Sequence, residues 1–323
     1  MSAGEPKVAV LIPCLNEEQT IAFVVEAFRR QLPEATVWVF DNGSTDRTVE
    51  EARRAGALVG FELRRGKGYT LRTAFNEVDA DIYVMVDGDG TYPPDRVHAL
   101  IAPVREGRAD MVIGSRLLDR SHPGFKWPNL VGNLIFRGLH NAFFRARITD
   151  LLSGYRAVNR RVAKGLPYLS RGFEIEPELT VKCLERDLRV VEVPVTLSHR
   201  PRGSHSKIHI VRDTVRIIDM ILALVRDYKP LTAFGSVGLM FIAIGLIPGF
   251  IVIKEYLETG LVPRLPSVVL AVGLVLTGLL LGFVGLVLHT IARRFQELDR
   301  QLQNLLEGRP DRSQSSPNTR SQT

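Results

Sequence analysis

The first third of the chain alternates short, continuous apolar runs with longer segments in which apolar residues recur every three or four positions. The short runs predict strands, and the periodic segments predict helices. The predicted strands are residues 8–13, 36–40, 58–63, 82–86 and 111–113, and the predicted helices are 21–28, 48–55, 69–78 and 96–105. This alternation predicts an α/β fold with a mainly parallel sheet, and the continuous apolar strands predict helices on both of its faces.

Two long uncharged segments, residues 231–253 and 265–288, lie in the last third of the chain. A helix of about 20 apolar residues crosses the hydrocarbon core of a bilayer. Neither segment has the polar stripe expected of a helix in a soluble core. They therefore predict two transmembrane helices. Arginine and lysine residues just before the first segment and just after the second predict that both ends of this hairpin lie in the cytosol.

Amphipathic segments flank the predicted hairpin. Residues 208–230 have apolar positions at three- and four-residue steps, which indicates a helix in the membrane interface or, alternatively, a helix that closes the soluble core. Residues 290–323 predict one more cytosolic amphipathic helix and a disordered tail. The predicted division is thus a cytosolic domain over 1–207, an interfacial helix over 208–230, a membrane segment over 231–289 and a C-terminal segment over 290–323. The glycine-rich spans are compatible with a homo-dimer or homo-tetramer.

The amino-acid composition further restricts the class of protein to which this chain can belong. The 323 residues are 45% hydrophobic and 24% charged, which is typical of a folded globular chain. Two cysteines, Cys14 and Cys183, exclude a disulfide scaffold and predict buried free thiols. The N-terminus lacks a secretory signal pattern, which predicts that the first domain stays in the cytosol. The net charge is +7, but basic residues adjoin the membrane segments, so we expect no nucleic-acid partner.

Polar residues follow each of the first four predicted strands. They include Asn16 and Glu17, then Asp41 and Ser44, then the basic loop 64–67, and finally Asp87 and Asp89. The carboxyl ends of parallel strands meet at one edge of a sheet, where ligands bind. We therefore expect these four loops to form one site.

The two aspartates that follow the fourth strand, Asp87 and Asp89, suit a hard divalent cation that keeps places for water and substrate phosphates. The loop from Asp41 to Asp46 has two compatible interpretations, an Asx turn with a helix cap and a ligand-binding loop. The basic loop on the same edge would compensate the charge of a diphosphate. The sequence patterns of P-loop and dinucleotide sites are missing from the sequence.

Several motifs, in their order and spacing, resemble family 2 glycosyltransferases of the GT-A fold. The early motifs are residues 8–17, 41–48, 66–68 and 87–89. Later motifs at 114–116, 150–156 and 200–207 are similar to those of the polyprenyl- and dolichyl-phosphate glycosyltransferases, the relatives of dolichyl-phosphate mannose synthase. The resemblance runs from about residue 8 to residue 213.

The resemblance implies roles for particular residues. The residues expected at the nucleotide and its diphosphate are Pro13, Asn16, Glu17, Asp41, Ser44 and Lys67. Asp87 and Asp89 are expected to hold Mg²⁺ or Mn²⁺. The residues expected at the acceptor phosphate are Arg116, Lys126, Asn133, Arg156, Arg200, Ser206 and Lys207, and Asp89, Arg116 and Arg200 are expected to be catalytic.

Two positions depart from the mannose synthases: Thr91 stands where they often have Gln, and Val131 where they have an Arg. Asp150 has two interpretations, orienting an arginine or the sugar, and capping a helix near Ser153.

The implied reaction is transfer of one sugar, with inversion, from a UDP- or GDP-linked donor to a dolichyl or undecaprenyl phosphate at the cytosolic face of the cell membrane. The phosphate oxygen is already anionic at neutral pH, so this reaction needs no strong general base. The alternatives are a family 2 transferase for another acceptor, a processive polysaccharide synthase and a non-catalytic scaffold or lipid-translocation partner. The sequence lacks the Gln-x-x-Arg-Trp segment of processive synthases.

Overall fold

A computed structural model describes residues 5–118, 148–197 and 229–306, with residues 219, 222, 225 and 226 between the last two ranges. The chain divides into two compact units, Met1–Leu222 and Ala223–Thr323. Among its described residues the first unit contains seven strands, six α-helices and one short 3-10 helix (Pro94–Arg96), and the second contains two long helices.

The elements of the first unit follow the predicted alternation. The strands are β1 (Val8–Cys14), β2 (Thr36–Asp41), β3 (Leu58–Phe61), β4 (Ile82–Met85), β5 (Met111–Ser115), β6 (Arg156–Asn159) and β7 (Val190–Pro194). The helices are α1 (Ile21–Gln31), α2 (Thr48–Arg54), α3 (Lys67–Glu77), α4 (Val97–Arg105), α5 (Arg160–Gly165) and α6 (Ile175–Glu185). All nine elements predicted from the sequence are confirmed, with ends that differ by a few residues.

The strands form one sheet in the order β3-β2-β1-β4-β6-β5-β7. Strands β1 to β4 pair in parallel, and β5 pairs in parallel with β7. The prediction of a mainly parallel sheet is confirmed. Strand β6 runs antiparallel to both of its neighbours, and Arg156 lies opposite Met85 on one side and Ile113 on the other. This reversed strand was not predicted, and it separates β4 from β5.

Apolar layers cover both faces of the sheet. On β1, Val8, Val10 and Ile12 join the layer that contains α1, α2 and α4. The alternate residues Ala9 and Leu11 join the layer that contains α3, α5 and α6. Both sides of the strand are therefore buried, which is why its sequence is continuously apolar. Each cysteine lies in one of these layers as a buried free thiol, as predicted.

The second unit contains helices α7 (Pro230–Thr259) and α8 (Leu265–Leu306). Both include a stretch long and apolar enough to cross a membrane, Pro230–Thr259 and Leu265–Phe295. They contact closely at Gly238 and Gly278, where a Cβ on either residue would lie 2.5 Å from the carbonyl oxygen of the other. The amphipathic segment predicted after the second span is the last part of α8, since the helix continues without a break to Leu306.

Candidate active site

The loops after β1 and β2 are joined by hydrogen bonds between their polar residues. The backbone N–H of Asn16 donates to Ser44 Oγ at 2.9 Å, and Thr45 N–H donates to Asn16 Oδ1 at 2.7 Å. Asn16 has a φ of 51°, a left-handed conformation that asparagine tolerates better than most residues. The Glu17 N–H donates to Thr48 Oγ1 at 2.7 Å. Predicted nucleotide residues from two strands therefore share one loop surface, with Pro13 half-buried in β1.

Asp41, at the end of β2, is buried, and its carboxylate accepts hydrogen bonds from the turn that follows it. Its carboxylate accepts the N–H of Gly43 at 3.0 Å and that of Ser44 at 3.1 Å. The next residue, Asn42, connects the turn to the loop after β3, since its Oδ1 accepts the Gly66 N–H at 2.6 Å. The Asx-turn interpretation is thus confirmed. Asn42 was not predicted as a site residue, because an Asn in a turn has an ordinary local explanation.

The basic loop after β3 contains arginines in different settings. Arg64 forms a bidentate salt bridge with the buried Glu62 carboxylate, in which Nε donates to Oε1 at 2.9 Å and Nη2 donates to Oε2 at 2.7 Å. These hydrogen bonds from Arg64 lower the pKa of Glu62 to about 2. The Arg64 charge is therefore neutralised within the loop. Arg65 instead lies beside Gly43, its Nε 3.5 Å from where a Cβ would stand.

Lys67, the first residue of α3, points into the site between two carboxylates. Its Nζ lies 2.5 Å from Asp87 Oδ1 and 2.5 Å from Glu176 Oε1. Burial alone would lower the pKa of Lys67, but the two carboxylates raise it above its ordinary value, so the side chain is an ammonium. The prediction that Lys67 belongs to the same edge as Asp87 is borne out by this contact.

The glycines on either side of Lys67 have a packing role. A Cβ at Gly66 would lie 2.0 Å from the Arg171 carbonyl oxygen, and one at Gly68 would lie 2.2 Å from that of Ser170. Gly66 also has a φ of 140°, which side chains disfavour. The Gly-Lys-Gly motif thus lets the loop 170–171 pass against the start of α3, which fixes the backbone of Lys67.

Asp87 and Asp89 follow β4 and are held by different neighbours. A Cβ at Gly154 would lie 2.6 Å from Asp87 Oδ2, so Asp87 packs directly against that glycine. Asp89 is buried, and its Oδ1 accepts the Thr91 hydroxyl at 2.6 Å and the Thr91 N–H at 3.1 Å. Thr91, which departs from the mannose-synthase pattern, therefore positions the second aspartate.

The donor set at this edge fits a hard divalent cation. Two carboxylates at the end of one strand offer oxygen ligands, as Mg²⁺ and Mn²⁺ prefer, and leave places for water and phosphate oxygens. Within residues 5–118, 148–197 and 229–306, no three His, Cys, Asp or Glu side chains cluster as a metal site. Asp87 and Asp89 are the two carboxylates we would assign to such a cation, and Mg²⁺ is commonly bound by one or two carboxylates together with substrate phosphates.

Arg116, just after β5, is held by the fully buried Asp150. The guanidinium Nε donates to Asp150 Oδ2 at 2.6 Å, Nη2 donates to Oδ1 at 2.8 Å, and the Arg116 N–H donates to Oδ2 at 3.0 Å. Burial acts to raise the pKa of Asp150, but the adjacent guanidinium lowers it below its ordinary value. Asp150 thus orients an arginine, the first of its two interpretations, and the chain makes a turn rather than a helix at 151–154.

Arg156 does not fit the predicted contact with the acceptor phosphate. Its side chain is fully buried in β6, where Nε donates to the Ser153 carbonyl oxygen at 2.8 Å, Nη2 to that of Leu151 at 2.7 Å and Nη1 to Thr180 Oγ1 at 2.8 Å. The guanidinium thus satisfies backbone carbonyls of the segment that precedes β6. We therefore assign Arg156 a structural role.

Glu176, in the first turn of α6, is a site residue that the sequence analysis missed. Burial raises the pKa of its carboxyl against the opposing effect of Lys67. An acidic residue in the first turn of a helix has an ordinary explanation in the helix dipole, so no signal in the sequence indicated this position. The remaining predicted acceptor residues lie outside the described part of the chain and stay predictions: Lys126, Asn133, Arg200, Ser206 and Lys207.

Comparisons with known proteins agree with this fold. The family described as Glycosyl transferase family 2 matches residues 9–166. Glycosyltransferase AglJ of Haloferax volcanii is 35% identical over 303 residues, which cover 92% of this chain and 98% of that protein. The dolichol-phosphate mannosyltransferase of Pyrococcus furiosus is 30% identical over 246 residues, 72% of this chain and 68% of that protein.

Among solved structures, glucosyl-3-phosphoglycerate synthase of Mycobacterium tuberculosis, in complex with Mn²⁺, UDP and phosphoglyceric acid, superposes with a TM-score of 0.58 at 24% identity. The match covers 68% of this chain and 78% of that one. The fold of the first unit is accordingly the GT-A fold, a class in which a sugar is transferred from an activated donor. The chain belongs to glycosyl transferase family 2 and is a glycosyltransferase.

Proposed function

We propose that the protein transfers one sugar from a nucleotide-sugar to a polyprenyl phosphate at the cytosolic face of the membrane, with inversion at the sugar. The observation that supports this most is Arg116, which follows β5 and is held by the buried Asp150 carboxylate, in the same sheet whose strand β4 is followed by Asp87 and Asp89. The same chain contains two candidate membrane spans, and its relative from Pyrococcus furiosus is named for a dolichol phosphate.

The donor half of the proposed site lies on the loops after β1, β2 and β4. Pro13, Asn16, Glu17, Asp41 and Ser44 are the residues we assign to the nucleotide. Asp87 and Asp89 would hold the divalent cation, Mg²⁺ or Mn²⁺, which when bound offsets the charge of the donor diphosphate. Lys67 adds a second positive charge at the same edge. A UDP-sugar is the donor we favour, and a GDP-sugar is the alternative.

The acceptor half depends on Arg116. The Asp150 contacts fix the guanidinium plane, and the Arg116 side chain keeps 19% of its surface exposed, so it is oriented before an acceptor arrives. A phosphate is a suitable partner because guanidinium groups bind phosphate oxygens with defined geometry. The phosphate oxygen is the nucleophile and is anionic at neutral pH, so the protein supplies placement and charge stabilisation rather than a strong base. The other residues that we assign to the acceptor phosphate are Lys126, Asn133, Arg200, Ser206 and Lys207.

We place the protein in the membrane as an integral protein with its catalytic domain, residues 1–207, in the cytosol. Arg226 and Lys229 precede α7, and Arg293 and Arg294 lie in the part of α8 beyond its uncharged stretch. Positive charge at both ends of the hairpin favours the cytosolic side for both. A transferase anchored in this way meets the phosphate of a polyprenyl lipid without extracting its chain from the bilayer.

A transfer assay with purified protein tests the proposal. The reaction contains polyprenyl phosphate, Mn²⁺ or Mg²⁺ and a radiolabelled UDP- or GDP-sugar, and label in the organic phase is measured. We expect labelling that requires metal and falls by at least about 100-fold in Asp89→Ala, because the cation that would offset the charge of the leaving diphosphate loses a ligand. Asp95→Ala, which removes an exposed carboxylate from the same segment, serves as the matched control and keeps its activity.

Two results would contradict the proposal. Release of nucleotide without lipid labelling would show that another acceptor is used, as in the alternative of a family 2 transferase for a different acceptor or for a polysaccharide. Absence of turnover with every donor and both metals, in protein that is folded by its thermal unfolding curve, would refute the assigned reaction.

A further inference from the structure

The Lys67 ammonium is shared between a carboxylate at the proposed metal position and a carboxylate behind it. Nζ lies at equal distance, 2.5 Å, from Asp87 Oδ1 and Glu176 Oε1. The side chain of Asp87 is 31% exposed, whereas those of Lys67 and Glu176 are 10% and 3% exposed. One partner of the lysine therefore faces the open side of the site, and the other lies in the protein interior.

Glu176 has unused capacity to accept a hydrogen bond. Among the residues that the structure describes, its Oε2 atom is buried and has no hydrogen-bond partner. A buried carboxylate oxygen without a partner is costly, and an ammonium has three donors. Glu176 is therefore able to accept a second N–H from Lys67 if that N–H leaves Asp87.

The residues around Asp87 and Lys67 restrict which of their groups can move. Asp87 Oδ2 packs against Gly154, and the Lys67 backbone is fixed where the loop 170–171 crosses the two flanking glycines. The Lys67 side chain is the flexible part of this arrangement. A divalent cation that binds Asp87 approaches the same carboxylate that Lys67 contacts through Oδ1, and the two positive charges repel each other.

From this geometry we propose that Lys67 competes with the divalent cation for Asp87, and that Glu176 is a positioning residue that holds Lys67 when the cation takes its place. The inference rests on the metal role given to Asp87 and Asp89 in the proposed function. In this arrangement Lys67 balances the charge of the site before the cation arrives, and it remains beside the diphosphate afterwards. The affinity for the cation is then set partly by how strongly Glu176 holds the lysine.

Binding of Mn²⁺ alone to the full-length protein in detergent, followed by the electron paramagnetic resonance signal of free Mn²⁺, tests the proposal. We expect Lys67→Met to bind Mn²⁺ roughly tenfold more tightly, since a competing charge is gone. Glu176→Gln is expected to bind it several-fold more weakly, because Lys67 then has Asp87 as its remaining carboxylate. The matched control for net charge, Lys164→Met, is expected to bind as the wild type does.

The double variant separates positioning from direct attraction. If Glu176 acts through Lys67, the effect of Glu176→Gln is much smaller in the Lys67→Met background than in the wild type. Equal weakening in both backgrounds would show that Glu176 attracts the cation directly and would overturn its positioning role. Unchanged or weaker binding by folded Lys67→Met, beside Asp89-dependent binding by the wild type, would overturn the competition. Wild-type binding that is absent, or unaffected by Asp89→Ala, would instead refute the metal role itself.

Discussion

The carboxylate of Asp87, the first of the two aspartates that we propose as metal ligands, packs against Gly154, and Gly154→Ala tests how much this contact matters. An added Cβ would lie 2.6 Å from Asp87 Oδ2 and 3.0 Å from Asp87 Cγ. Carbon atoms without a bond between them favour separations of about 3.5 to 4.0 Å. The Asp87 carboxylate must therefore move by about 0.5 to 1 Å, since Gly154 belongs to the backbone that enters β6 and moves less easily than a side chain.

The expected loss of activity is much larger than the expected loss of stability. Displacement by about 1 Å at a reacting centre lowers rates by about 100-fold, whereas overpacking a buried position costs about 1 to 3 kcal/mol. We therefore expect Gly154→Ala to fold with a modestly lower melting temperature and to transfer sugar roughly 100-fold more slowly.

The assay is the initial rate of lipid labelling at saturating metal, with thermal unfolding measured on the same preparations. Gly165→Ala is the matched control, because a Cβ at Gly165 meets nothing within 4 Å and the variant should keep both rate and stability. A Gly154→Ala protein with wild-type activity would refute the reasoning, since Asp87 would then tolerate displacement or the backbone would yield instead.

Three further predictions concern other contacts. Asp150→Asn is expected to destabilise the first unit by about 3 to 5 kcal/mol and to impair transfer, because it leaves the largely buried Arg116 guanidinium without its counter-charge; wild-type stability in denaturant titration would contradict this. The pKa of Glu62 lies at about 2 instead of 4.5, so its ionised form stabilises the fold above pH 4.5, and this contribution is lost as pH falls toward 2. The gap in unfolding free energy between wild type and Glu62→Gln should therefore be widest at neutral pH and close in acid. Gly278→Val is expected to weaken the helix pair in detergent by about 1 to 3 kcal/mol, and Gly273→Val, at a position with nothing within 4 Å, should have little effect.

Much of the fold was predictable because burial on both faces imposes a simple pattern. Strands β1 to β5 read as continuous apolar runs, and polar residues follow them where the strands end at the edge of the sheet. The positions of Asp87 and Asp89 could be predicted for the same reason. The uncharged stretches in α7 and α8 are likewise predicted as candidate membrane spans from their length and composition.

Strand β6 was not predictable in the same way. It has four residues and begins with an arginine, so neither its length nor its composition indicates an interior strand. Its place between β4 and β5 depends on pairing with both neighbours and on the fit of the Arg156 guanidinium to nearby backbone carbonyls. The same motif therefore suggested an acceptor contact in the sequence and has a structural role in the fold.

Hydrophobic periodicity reports burial directly, so the buried stretches, the loops that share the edge of the sheet and the charged side chains there could all be predicted from the amino-acid sequence. The pairing of those charges became visible in the fold. Arg116 is bound by Asp150, and Lys67 by Asp87 and Glu176, residues that lie far apart along the chain. The local sequence pattern carries no information on such pairings. A charged residue in a turn or in the first turn of a helix has the same sequence context whether its side chain is solvated or forms an ion pair. The physical reason is that ion pairs form wherever folding brings opposite charges together, and that depends on the whole sheet.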